Sequence, residues 1–163
     1  MARNAISTQL KIVLGESAVA SSAATLSALA LEVPVWAMFV GWIAFFTRGL
    51  TLRQGAINLA CVLIGLGLGI GAAHALTALG PHLGAYAISA VVFAITVIAL
   101  SLAKVPVFDN LLGFFLGLVA YFASHLPPTL PSFAQLALAA AVGTIAALLA
   151  HGLQHRLRRR ADA

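Results

Sequence analysis

Apolar residues run along this chain in six long stretches, and nearly all of its charges fall between them. The stretches cover roughly residues 12–31, 34–48, 55–78, 83–103, 106–126 and 132–153. A helix needs about 20 mostly apolar residues to cross the hydrocarbon core of a bilayer. The pattern therefore predicts six transmembrane helices. The second stretch is the shortest, uncharged only from Val33 to Thr47. Pro34 suits its first turn, where a missing N–H costs nothing. So short a segment either crosses with little tilt or is partly re-entrant. A re-entrant piece is tolerated where protein buries it or where it lines a cavity.

The six stretches read as three, written twice. Ser17-Ala18-Val19 answers Ser89-Ala90-Val91, and Val33-Pro34-Val35-Trp36 answers Val105-Pro106-Val107-Phe108. Phe39, Gly41, Ala44, Phe45 and Phe46 return as Phe115, Gly117, Ala120, Tyr121 and Phe122. Asn58-Leu59-Ala60 faces Gln135-Leu136-Ala137, and Ala73-His74-Ala75-Leu76 faces Ala150-His151-Gly152-Leu153. Repeat one spans about 12–78 and repeat two about 83–153, with 154–163 left as a basic tail. Three crossings per copy invert the second copy relative to the first, as in many channels and secondary transporters. The predicted fold is an all-α integral membrane protein of six transmembrane helices, built as two inverted three-helix repeats.

Composition agrees with a bilayer as solvent. Of 163 residues, 62% are hydrophobic and 8% charged, and the mean hydropathy is +1.06. A soluble domain carries about 25% charged residues, and so short a chain cannot hide this much apolar surface from water. The formal charge of +5 raises the question of nucleic acid, but the positions of the charges answer it. With six crossings and an inside N-terminus, all 9 basic residues fall on cytoplasmic stretches: Arg3, Lys11, Arg48, Arg53, Lys104, Arg156, Arg158, Arg159 and Arg160. This is the positive-inside distribution, and both termini are expected in the cytoplasm. The arginine cluster near the C-terminus reads as a topology anchor beside anionic headgroups. No aromatic residues interleave with it, so no nucleic-acid partner is expected. A cleaved signal peptide is not the reading of the N-terminus. Glu16 interrupts the would-be apolar core, and Ser17 to Leu31 has its own counterpart in the second repeat. The single cysteine, Cys61, cannot form a disulfide within the chain.

The candidate functional residues are those that an apolar segment has no need of. Gly65, Gly67, Gly69 and Gly71 alternate in the third segment, Gly113 and Gly117 sit in the fifth, and Gly41 in the second. Glycine at i and i+4 leaves a flat face that lets helices approach closely. Phe39, Phe45, Phe115 and Tyr121 belong to the repeated aromatic phrase, and Phe45 with Tyr121 could form a paired constriction. Asn58 and Gln135 carry amides that want partners in hydrocarbon. They either glue helices or line a polar path. His74 and His151 form a second polar pair, and Glu16 is an intramembrane carboxylate. Ser17, Ser21, Ser22, Thr25 and Ser27 make the first segment small and weakly polar. No metal site, cofactor site or catalytic constellation is legible, so an enzyme is not expected.

At Trp36-x-x-Phe39-x-Gly41, followed by Phe45-Phe46, the chain resembles the YcdZ-like family of small bacterial inner-membrane proteins. Asn58 matches a family position, while Phe45 stands where a tyrosine is common. The resemblance implies the fold and an inner-membrane location, and no activity. The pattern as a whole predicts a channel or facilitator for a small, uncharged polar solute, with its path at the repeat interface. A proton- or ion-coupled carrier using Glu16, and an accessory subunit binding a partner through its glycine faces, are the alternatives. The expected partners are the lipid bilayer, further copies of the chain and the solute itself.

Overall fold

The computed structural model describes residues 2–162, without the side chains of residues 2–5, 7 and 162. Arg3 therefore enters by backbone position alone, and Ala163 of the basic tail lies outside the description. All regular structure among the described residues is helical: α1 Ala2–Thr25, a π-helical stretch Leu26–Ala30, α2 Val35–Phe46, α3 Leu52–Leu83, α4 Tyr86–Leu102, α5 Leu111–Ser124 and α6 Leu130–Asp162.

The helices are of two kinds. Thr8–Ala30, Leu52–Leu83 and Leu130–Ala161 are long and apolar enough to cross a membrane. Together with the many large apolar side chains turned outward, Leu29, Ile43, Phe93 and Val119 among them, they support membrane association. The other three are shorter. At 1.5 Å per residue, the 12 residues of α2 reach about 18 Å and the 14 of α5 about 21 Å, short of the ~30 Å core.

Local chemistry explains both the shortening and the lengthening. Gly49 takes φ +56° and turns the chain after α2. Thr51 then caps α3 by accepting from the Gln54 N–H at 3.2 Å. The stretch around Pro106 forms turns, and Asn110 caps α5 by accepting from the Gly113 N–H at 3.0 Å. The fifth element thus begins at Leu111 and not at 106. At the other extreme, the basic tail is not a separate element. Arg, Leu and Ala favour helix, and α6 runs on to place Arg159 and Arg160 in its last turn, where cations suit the dipole.

Packing sorts the helices into two blocks that cut across the sequence. α2 lies along α6 and α1 flanks α6, while α5 lies along α3 and α4 flanks α3. Both close pairs are parallel and interlock through glycine. A Cβ on Gly41 would fall on the Ala140 carbonyl, and one on Gly143 would fall on the Met38 carbonyl. In the other block, Gly65 meets the Phe114 carbonyl and Gly117 the Val62 carbonyl. Gly113 abuts Cys61, and Gly69 lies under the Tyr121 ring. Backbones touch here, which only a missing side chain permits. Gly67 and Gly71 differ: nothing lies within 4 Å of a Cβ at either. Two residues further along a helix is about 200° around it, so they face away from the protein.

The blocks meet on a seam of small and apolar side chains. Ala37, Leu66, Ala120, Tyr121, Leu136 and Ala139 form one buried cluster, and Ala44, Val62 and Ala140 another. The helix directions put all 9 basic residues at one end of the bundle, with the α2–α3 turn and the α4–α5 connection. Glu32, His74, His82 and His125 belong to the opposite end.

Candidate functional site

Where α2 stops short and α5 starts late, the fold brings a helix C-terminus and a helix N-terminus to the same depth. Each leaves backbone groups without intrahelical partners, at a level where the neighbours are apolar. Two asparagines answer this. Asn58, two turns into α3 and fully buried, donates through Nδ2 to the Arg48 carbonyl at 2.8 Å and the Phe45 carbonyl at 3.4 Å. Its Oδ1 accepts from Asn110 Nδ2 at 2.8 Å. Asn110 Nδ2 also donates to Thr47 Oγ1 at 2.7 Å, and Thr47 Oγ1 donates to the Ala44 carbonyl at 2.7 Å. Both hydrogens of each amide are therefore engaged. Towards the surface, Arg48 pairs with Asp109, the residue before Asn110.

The result is a clamp between the blocks. Thr47 and Arg48 come from the end of α2. Asn58, Asp109 and Asn110 come from α3 and the entry to α5. Buried amides that satisfy one another give a defined geometry, and the exposed ion pair above them adds little energy. The clamp's hydrogen bonds hold the end of α2 against α3 and the entry to α5. The opposite end is closed differently. There Val33, Leu126, Leu136 and Tyr121 pack together, with the Tyr121 hydroxyl donating to the Leu126 carbonyl at 3.4 Å.

The remaining sequence-predicted residues scatter. Gln135, half-buried, donates to the Glu32 carbonyl at 3.4 Å, at the end of the bundle remote from Asn58. Phe45 is fully buried against Gly55 and Thr144 near the basic end, with its ring centroid 6.1 Å from that of His151. Tyr121 sits near the start of α2 instead, among Val33 and Ala37. Eight residues of α2 separate Ala37 from Phe45, about 12 Å. The two rings are not brought together. Phe39 and Phe115 are part-exposed on the outer surface. His74 lies on the outward stripe with Gly67 and Gly71. Glu16 is half-buried on α1. The Ser22 and Thr25 hydroxyls turn back onto the Ala18 and Ser21 carbonyls of their own helix.

Sequence reasoning passed over Asn110, Thr47 and the Arg48–Asp109 pairing. One signal was available: Asp109-Asn110 followed three residues later by Gly113 is an N-cap pattern, and it would have moved the start of the fifth element. Gly143 and Thr144 were also missed. Thr144 Oγ1 is 3.1 Å from the Gly41 carbonyl and 3.0 Å from its own Ala140 carbonyl, beside the α2–α6 interlock.

Comparison with known proteins adds a family. A family model described as a protein of unknown function, DUF1097, matches residues 13–151. The match covers most of the chain, which belongs to that family. No curated protein and no solved structure matches it.

Proposed function

We propose that this member of the DUF1097 family is a membrane facilitator for a small, uncharged polar solute, working by relative movement of its two helix blocks. The carrying observation is the sorting of helices described above. Each block is locked internally by backbone contacts at glycine, whereas the seam between blocks has no such contacts among these glycines and carries alanine at half of its buried positions. Locked bodies on such a seam are suited to rocking, the motion of many inverted-repeat transporters. Among the described residues the buried clusters of the seam are apolar, and the Arg48–Asp109 pair bridges the blocks only at the basic end, which favours a neutral solute over an ion. The two ends differ, one held by hydrogen bonds and the other by apolar contact, so each end can open separately.

The inverted-repeat reading belongs to this proposal, with six crossings and both termini in the cytoplasm. Its support is the correspondence of the two interlocks, Gly41 with Gly117 and Gly65 with Gly143. In that register Asn58 corresponds to Leu136, one residue from Gln135, and the polar clamp has an apolar counterpart. On the same proposal, the residue pattern at Trp36, Phe39 and Gly41 supports a likeness to the YcdZ-like family and a bacterial inner-membrane location. A second reading, an accessory subunit or homo-oligomer, is favoured by the bare outward stripe at Gly67 and Gly71.

Flux through proteoliposomes tests the leading reading. Urea, short amides, ammonia, glycerol and short carboxylates are offered to protein carrying Thr47→Cys and Asn110→Cys in a Cys61→Ala background. Those two side chains touch across the seam. Oxidation should stop the flux of one neutral solute, and reductant should restore it. Flux that ignores the cross-link sinks the rocking mechanism, and no flux of any solute in the wild-type protein sinks facilitation.

A further inference from the structure

We infer that the outward groove between α1 and α6 holds an acyl chain of an anionic phospholipid, with the lipid phosphate between Lys11 and Arg156. The inference is independent of transport. It needs only that the helices lie in a bilayer.

The groove has a volume of about 400 Å3 and is lined by Ala18 and Ser22 of α1, Leu26 of the π-helical stretch, and Val142, Ile145 and Leu149 of α6. The single hydroxyl among these, Ser22, is committed to the Ala18 carbonyl at 2.8 Å. The walls are thus chemically apolar. From Ala18 to Leu26 the wall runs about 12 Å, close to the depth of one leaflet of a ~30 Å core.

Charge complementarity decides the kind of lipid. On α6, Ile145, Leu149, Gly152 and Arg156 follow at i, i+4, i+7 and i+11, one continuous stripe of a helix. From Leu26 at the start of the π-helical stretch, Ser22, Ala18, Gly15 and Lys11 of α1 follow a stripe in the opposite direction. The helices are antiparallel, with Gly15 against Leu153 and Ala23 against Ala146. Lys11 and Arg156 therefore arrive at the same height, each seven residues or about 10 Å beyond the groove. Both are exposed, and the ion pair found among the described residues involves neither. Gly152 has nothing within 4 Å of a Cβ, so the way from groove to cations runs along the α6 side, with Leu153 over Gly15 on the α1 side. Long basic side chains reach towards headgroups in this setting. Arg160 follows one turn beyond Arg156 and adds to the same field.

A groove of similar size on the other block gives an internal contrast. It lies between α3, α4 and α5, holds about 360 Å3, and is lined by Ile88, Val92, Thr96 and Phe115 among others. Its α4 wall continues towards the basic end through Ala99 and Ala103, neither of them charged. An acyl chain there would have no cation pair on its wall.

The test is native mass spectrometry of the purified full chain in neutral detergent. It is titrated with palmitoyl-oleoyl phosphatidylglycerol and with phosphatidylcholine of the same chains. The wild-type protein should bind the anionic lipid about thirtyfold more tightly, ~2 kcal/mol at 1.4 kcal/mol per tenfold. Lys11→Gln with Arg156→Gln should bring the two lipids level. Arg53→Gln with Lys104→Gln, cations of the same end away from the groove, should leave the preference intact. Ser22→Trp or Ile145→Trp, each filling the groove, should weaken both lipids. Equal binding of the two lipids by the wild-type protein overturns the inference. So does an equal loss in the control variant, which would mark general headgroup attraction, or indifference to both tryptophans. A stable dimer that self-cross-links through Ser22→Cys would put a second copy in the groove and also overturn it.

Discussion

At the scale of single residues, Asn58 is the side chain with the most to lose. Replacing it with leucine leaves Asn110 Nδ2 short of one acceptor and the Arg48 carbonyl without its donor. Hydrogen bonds within membranes average about 0.6 kcal/mol, but an orphaned buried group costs about 1–3 kcal/mol. Asn58→Leu should therefore lower stability by about 1–2 kcal/mol, read as a drop in thermal midpoint in detergent. Asn110→Leu removes the other half of the same bond. The double variant should then lose less than the sum of the two single ones; strict additivity would mean that the two amides act separately. Arg48→Gln should cost under about 1 kcal/mol, because the Arg48–Asp109 pair is 32% and 48% exposed and solvent screens it. A loss comparable to that of Asn58→Leu would show that the ion pair, and not the amides, holds the clamp.

At the scale of helices, glycine position separates two roles that look alike in the chain. Gly143→Leu should prevent α2 from seating on α6, since the first added carbon already meets the Met38 carbonyl. Backbone cannot yield as a flexible side chain can, so the expected result is aggregation or loss of expression. Gly67→Leu adds its side chain to open space, so the fold should survive with an unchanged thermal midpoint. If copies of the chain associate through that stripe, the same variant should shift the protein to a smaller species in size-exclusion chromatography with light scattering. An unfolded Gly67→Leu variant would contradict the outward placement. Helix length belongs to this scale too. The short α2 and α5 are tolerable because their ends are capped by Asn58 and Asn110 inside the protein and not left in lipid.

At the scale of the whole molecule, the gathering of every Lys and Arg at one end predicts orientation. A reporter that matures only in the cytoplasm should be active when fused after Ala163, and an outside-active reporter should stay silent there. The reverse result would invert the molecule or change the number of crossings. The division into two blocks, one of α1, α2 and α6 and one of α3, α4 and α5, also belongs here. Each block takes helices from both halves of the chain, so the halves cannot separate without breaking the glycine interlocks. A protein cut in the α3–α4 connection should hold together in mild detergent, which co-purification of the two fragments would show. Fragments that part freely would argue against interlocking.

The order and type of the elements were legible in the chain, because six apolar runs depend on local composition. The placement of all basic residues at one end followed from the number of runs, and Gly41 and Gly117 were legible as packing positions from their matched contexts. Three matters were decided by tertiary structure. Gly65 and Gly67 carry the same residue in the same pattern, and only the position of α5 makes one a contact and the other bare. Asn58 and Gln135 were equivalent amides on paper. Asn58 meets two unfinished helix ends, whereas Gln135 reaches one loop carbonyl at the far end of the bundle. Phe45 and Tyr121, expected as a pair, are held apart because parallel pairing sends α2 along α6 and α5 along α3. Periodicity reports which face of a helix is apolar; which neighbour that face will meet depends on contacts between residues far apart in the chain.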